Sequence, residues 1–133
     1  MRYMLDSNIC IFLIKNKPEG VLKKLNEVRQ DGISISTITL AELEHGVANS
    51  MHRQNNADAL AQMLTLLNVL SFDAKAAHHY GLIRAGLQRR GRLIGPLDML
   101  IAGHALAAGL ILVTNKIREF QRIDRLVVED WTT

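Results

Sequence analysis

Asp6, Glu42 and Asp98 stand in the segments RYMLDSN, ISISTITLAEL and IGPLDMLIAGHA, where a β-rich or apolar run gives way to a helical pattern. Three carboxylates gathered at such junctions can share one metal ion. Hard divalent cations such as Mg²⁺ and Mn²⁺ take oxygen ligands, and Mg²⁺ is usually held by one or two carboxylates together with waters and substrate phosphate. In an open α/β sheet the ligand crevice lies beyond the carboxyl ends of the strands, so acids that follow different strands converge there although far apart in sequence. The chemistry such a cluster supports is metal-dependent phosphoryl transfer.

Each acid also has a structural role open to it. Asp6 fits the N-cap of a helix starting near Ser7, and Thr39-x-x-Glu42 fits a capping box. Asp98 follows Gly95-Pro96 and falls in a first helical turn, where the macrodipole favours negative charge. The two roles are compatible, because an acid fixed by a helix start is already oriented as a ligand.

Acids that repel phosphate need positive surroundings to hold a nucleic acid. The chain carries 16 Lys and Arg against 13 Asp and Glu, a formal net charge of +3, which leans toward an anionic partner. Arg84, Arg89, Arg90 and Arg92 lie just upstream of the Asp98 segment, and Lys15, Lys17, Lys23 and Lys24 follow the Asp6 segment. They are candidate phosphate contacts, or else ordinary solvated helix faces. A non-catalytic RNA-binding or partner-binding module is the alternative reading, and the 5% aromatic content speaks against it by leaving few stacking platforms for single-stranded bases. A haloacid-dehalogenase-type phosphatase also puts an Asp after its first strand, but it needs a second Asp two residues on, where this chain has Asn8. His45 and His104 share helices with Glu42 and Asp98, yet no Cys or second His stands at zinc-ligand spacing.

The elements that must position these residues alternate. Arg2 to Leu5 reads as a strand and Ser7 to Lys15 as a helix; Pro18 suits the N1 position of a second helix running to about Gln30. Ile33 to Ser36 is β-branched and alternating, a second strand, and Ser36 or Thr37 caps a third helix through Glu42 to about Asn49. After a polar break at residues 51–56, a fourth helix is expected over about Ala57 to Leu67, then a short strand at Asn68 to Ser71. Asp73 caps a long helix that Gly91 ends; Pro96 opens the Asp98 helix and Gly109 closes it. Leu110 to Val113 reads as a buried parallel strand, followed by a helical piece around Ile117 to Gln121 and a last strand near Leu126 to Val128. Strands alternating with helices imply one three-layer α/β/α domain over residues 1–133, with a central parallel sheet of about five strands.

A chain of 133 residues with 48% hydrophobic content can bury about two-thirds of its unfolded surface, so it needs no disulfide staple. The lone Cys10 sits among apolar neighbours, which fits a reducing, cytoplasmic setting and argues against a thiolate nucleophile. The longest apolar stretch, Leu100 to Val113, holds His104 and two glycines and is too short to span a bilayer, and no signal-peptide pattern opens the chain.

Five segments taken in order, MLDSNICIFLIKN, TLAELEHGV, IGPLDMLIAGHAL, LVTNKIREF and the closing VEDW, resemble the PIN-domain ribonucleases and among them the VapC toxins of bacterial toxin–antitoxin modules. The resemblance covers nearly the whole chain. It implies an acidic Mg²⁺ or Mn²⁺ site at Asp6, Glu42 and Asp98, with Glu119 in NKIREF as a fourth acid and Ser7 and Asn115 as supporting polar residues. Lys116 departs from the pattern, standing where some relatives carry a further Asp. The activity implied is endoribonucleolytic, leaving a 5′-phosphate and a 3′-hydroxyl, with initiator tRNA cut in the anticodon stem-loop as an expected target. Implied partners are a second copy in a homodimer and a VapB-type antitoxin whose C-terminal segment covers the acidic cleft. Apolar helix residues Ile11, Leu25, Met63 and Leu64 are either part of such a groove or plain core.

Overall fold

The computed structural model describes residues 1–133. Its frame is a sheet of five parallel strands, β1 (Tyr3–Leu5), β2 (Ile33–Ser36), β3 (Asn68–Leu70), β4 (Ile111–Val113) and β5 (Val128–Glu129), in the order β3-β2-β1-β4-β5. The central strand is buried on both faces, and its alternation divides the core. Tyr3 and Leu5 face a cluster built with Ile9, Val21, Leu25, Leu43, Leu60 and Met63. Met4 faces the other way, onto Leu87, Met99, Ile101, Ala102, Ala105 and Phe120. One layer therefore comprises α1 (Ser7–Lys15), α2 (Glu19–Val28), α3 (Thr37–Ala48) and α4 (Arg53–Leu64); the other comprises α5 (Ala74–Arg89), α6 (Pro96–Ala108) and α7 (Ile117–Phe120). The three-layer α/β/α expectation holds.

Helices α5 and α6 approach closely because Gly103 has no side chain. A Cβ there would lie 2.8 Å from the Tyr80 amide nitrogen and 3.0 Å from its Cα. Gly109 ends α6 in the left-handed conformation at φ 68°, as the glycine after an apolar helix predicts.

Several local expectations are corrected. Pro18 is the extended N-cap of α2, at φ −71° and ψ 149°, and not its first helical residue. That helix ends at Val28 and tightens into a 3₁₀ turn over Arg29–Asp31. The capping box at Thr39 and Glu42 does not form: Ser36 caps α3, its Oγ accepting the Ile38 N–H at 3.0 Å, so Glu42 lies in the second turn. Helix α4 starts at Arg53 and stops at Leu64, some three to four residues earlier than expected. Its first turn is polar because it is exposed, which makes it read as a loop, and Leu66 and Leu67 belong to the turn into β3. The last strand is Val128–Glu129, where Leu112 and Val113 of β4 provide its partners.

Candidate active site

The carboxyl ends of β1, β2 and β4 lie side by side, and each passes a polar residue into the next element. Asp6 follows β1, Ser36 closes β2 and Thr114 follows β4, all three buried. The Asp6 amide donates to the Val113 carbonyl at 3.0 Å, continuing the ladder for one residue. Its side chain then turns to cap α1, Oδ1 accepting the Ile9 N–H at 3.0 Å. The capping reading of Asp6 is correct, and it leaves the other oxygen free: Oδ2 is buried and has no hydrogen-bond partner.

An unpaired carboxylate oxygen beneath the surface costs on the order of 1 to 3 kcal/mol. Asp6 carries that cost in its titration. Burial pushes its carboxyl above the ordinary 3.8; the Thr114 hydroxyl, the Ile9 amide and the Lys116 ammonium pull it down, and the Asp98 charge pushes it further up. Asp98 and Lys116 are thus electrostatic neighbours of Asp6. They are also bound to each other, Lys116 Nζ lying 3.2 Å from Asp98 Oδ2 and 3.4 Å from Oδ1.

Asp98 occupies the first turn of α6, where the helix dipole favours a carboxylate. Helix α6 lies across the sheet: its head stands beside the loop after β4, while His104, nearly two turns on, reaches the end of β2. Glu42 is delivered by α3, and Ser7 Oγ donates to its Oε1 at 2.7 Å, tying it to the head of α1 one residue from Asp6. The Cys10 thiol, fully buried one turn into α1, is pushed far above its ordinary range by burial and then by the charges of Asp6 and Glu42. It is no nucleophile.

The structure therefore gathers Asp6, Ser7, Glu42 and Asp98. Asn115 joins at the rim, its Oδ1 accepting from Asn8 Nδ2 at 3.2 Å. Glu119 lies half-buried on the short α7, and the carboxylate forms neither hydrogen bond nor ion pair. No three acidic, His or Cys side chains stand close enough to hold one ion as they are. Each of two acids is engaged by a neighbour instead, Glu42 by Ser7 and Asp98 by Lys116. The donor set nevertheless suits a hard divalent cation: carboxylate oxygens, one of them buried with no hydrogen-bond partner, with the Lys116 ammonium on Asp98 as a cation it would compete with.

Of the basic residues, Arg89, Arg90 and Arg92 end α5 and lead into the head of α6. Arg90 Nη2 donates to the Arg122 carbonyl at 3.0 Å, and Arg122 Nη1 donates to the Leu93 carbonyl at 3.2 Å, so two basic segments interlock there. Arg84 is turned to the Tyr80 hydroxyl at 2.7 Å. Lys15 ends α1 and Lys17 follows its C-cap, about 13 Å of helix rise or more from Asp6, so they lie away from the acids. Leu25 and Met63 are core, Leu64 is half-buried and Ile11 is exposed.

Thr114, Asn8 and Lys116 lie among the residues gathered here although the motifs did not single them out. Their signal was adjacency: T-N-K directly follows the strand paired with β1, and Asn8 lies two residues after Asp6.

The sequence model of the PIN domain family matches residues 3–126. The chain is 47% identical over 132 residues to the tRNA(fMet)-specific endonuclease VapC of Shigella flexneri, covering 99% of each. It superposes with a TM-score of 0.94 on a chain of the VapBC2 complex of Rickettsia felis bound to a promoter DNA fragment, at 41% identity, covering 98% of this chain and 99% of that one. The DNA-bound VapBC of Salmonella typhimurium gives 0.93 at 45% identity, covering 98% of both chains. With acids at the carboxyl edge of a five-stranded parallel sheet and relatives matched end to end, the chain belongs to the PIN-domain family, within its VapC ribonucleases.

Proposed function

We propose that this VapC-type endoribonuclease hydrolyses RNA phosphodiesters at the cleft formed by Asp6, Glu42 and Asp98, with Mg²⁺ or Mn²⁺ as cofactor and Glu119 as a fourth acid. Ribonucleases of the family depend generally on a divalent metal. The observation that carries the reading is the buried Oδ2 of Asp6, which makes no hydrogen bond of ordinary length and whose charge burial disfavours, with a second carboxylate, Asp98, as its electrostatic neighbour. A bound divalent ion would acidify a water and neutralise charge on the phosphate.

The chain's own groups do the rest. Ile9 N–H fixes the rotamer of Asp6, Ser7 fixes Glu42, and the head of α6 presents Asp98. Asp98 or Glu119 is suited to take the proton of the attacking water, being less buried than Asp6. The bond formed is water oxygen to phosphorus, and the bond broken is phosphorus to the 3′-oxygen, which leaves a 5′-phosphate and a 3′-hydroxyl. Arg89, Arg90 and Arg92, with Arg84 beside them, offer a phosphate-binding face; Lys15 and Lys17, beyond the far end of α1, would contact RNA away from the acids.

The whole chain is read as one PIN domain acting in the cytoplasm. Its substrate by analogy with the Shigella flexneri relative is initiator tRNA, so that free protein inhibits translation, and its partners are a second copy and a VapB-type antitoxin. No helix is long and apolar enough to cross a membrane. The test is incubation of the purified chain with initiator and elongator tRNAs under Mg²⁺, Mn²⁺ and EDTA. Cleavage of initiator tRNA that EDTA abolishes is expected; binding without cleavage, indifferent to metal, would overturn the reading.

A further inference from the structure

Lys116 is the group that an arrangement of metal and carboxylates leaves without a task. Its backbone N–H donates to the buried Thr114 Oγ1 at 2.9 Å, which fixes the loop after β4 and sends the side chain back over the carboxyl edge. There it makes the only salt bridge of a chain with 16 Lys and Arg and 13 Asp and Glu, and it makes it inside the proposed site. The side chains are 37% and 19% exposed, so the pair is open to solvent at that edge, where a substrate can reach it.

Resting on the reading that Asp6, Glu42 and Asp98 hold a divalent ion, we propose that Lys116 is a substrate-positioning cation, parked on Asp98 until the ion claims that carboxylate and then free to bind the scissile phosphate. Charge requires something of the kind. Three carboxylates against one divalent ion leave a net charge of −1, and Glu119 would make it −2, facing a phosphodiester of −1. A site in that state repels its substrate; one ammonium cancels the −1 of the three-acid site and halves the −2 that Glu119 would give. Lysine suits the move better than arginine would: it is a compact charge with three donors on a flexible four-carbon stem, not a planar fork committed to one carboxylate. Nζ is within 3.4 Å of both oxygens of a proposed ligand, so a phosphate drawn to the same ion comes within reach without any backbone change.

The test compares Lys116→Gln and Lys116→Arg with the unaltered chain by two readouts: Mn²⁺ affinity, from the paramagnetic resonance of free Mn²⁺, and KM and kcat for the tRNA at several salt concentrations. Lys116→Gln is expected to bind Mn²⁺ a few-fold tighter, having lost a competing cation, while its KM rises about tenfold and kcat changes less than about threefold. The slope of log KM against log salt should fall by about one, the signature of a lost phosphate contact. Lys116→Arg, which keeps the charge but forks onto Asp98, should recover part of the KM and of the salt slope. Tighter Mn²⁺ binding with KM and salt slope unchanged would make Lys116 a mere placeholder for the ion and overturn the proposal, as would a KM rise explained by weaker Mn²⁺ binding. Failure of the unaltered chain to bind Mn²⁺ would instead bring down the underlying site; retention of binding there, and its loss in Asp6→Asn, confine any failure to Lys116.

Discussion

Two buried polar residues close neighbouring strands, and they are treated in opposite ways. At the end of β2, Ser36 Oγ accepts the Ile38 N–H and lies 2.8 Å from His104 Nδ1 on α6, while Phe72 packs edge-on against the imidazole. At the end of β1, Asp6 caps its helix with one oxygen and buries the other without a partner. Both corners cap helices that begin at the same edge, so the difference is not one of local structure. The Ser36–His104 corner is a closed network that fixes α3 against α6, the two helices that present Glu42 and Asp98. The Asp6 corner is left incomplete, and an incomplete buried charge is tolerated where a ligand completes it.

The sharpest way to break this contrast is Asp6→Asn. Cleavage should fall about a thousandfold or more, as when a single electrostatic contributor to a transition state is removed, while the metal-free protein should gain on the order of 1 kcal/mol because an amide has no charge to bury. Activity with initiator tRNA and melting in EDTA check the two halves; full cleavage, or a less stable metal-free protein, removes the distinction between the corners. His104→Ala should do the reverse. It opens a cavity and strips Ser36 of a partner, costing about 2 to 3 kcal/mol in urea denaturation, with a smaller loss of activity per folded molecule.

The pH dependence of stability separates the corners again. Burial lowers the His104 value below the ordinary 6.5, so the folded state stays neutral while the unfolded chain takes up a proton; the stabilising contribution is complete above about 6.5 and is lost as pH falls below it. Asp6 has the opposite sign. Its folded value is raised above 3.8, so the cost of the buried charge is present at neutral pH and is relieved as pH falls through the folded value. Denaturation midpoints in EDTA across this range should show a decline below pH 6.5 that His104→Ala flattens and Asp6→Asn leaves in place. The smallest effect is expected from Ser7→Ala, which frees Glu42 from its 2.7 Å hydrogen bond. A few-fold loss of kcat with a stability change under about 1 kcal/mol would mark Ser7 as an orienting residue, and an unchanged kcat would remove it from the site.

Elements with strong local signals were legible in the sequence. The strand at Ile33–Ser36, the helix from Ser7 to Lys15, the Asp73 cap and the Pro96 and Gly109 limits of α6 all follow from β-branching, capping and turn chemistry within a few residues. The first turn of α4 was missed because an exposed turn has no apolar period to display, and the Thr39 to Glu42 box misled because Ser36, three residues earlier, caps the same helix. For the site, the three acids were visible as acids near helix starts, but only Asp6 directly follows a strand: Glu42 lies in the second turn of α3, and Asp98 opens α6 after α5 with no strand between them. Nearness in sequence to Asp6 did not show that Lys15 and Lys17 lie at the other end of a helix that runs away from it.

The amino-acid sequence by itself determined the alternation of strands and helices, the α/β class, the acids available for chemistry and the family resemblance, since each is a matter of residue type and spacing along the chain. Only the tertiary structure decided which oxygen of Asp6 is left bare, that Ser7 holds Glu42, that Lys116 occupies Asp98, and that His104 locks α3 to α6 through Ser36. Those contacts join residues 18 to 68 positions apart, or depend on burial from both faces of the sheet, and no local propensity encodes either.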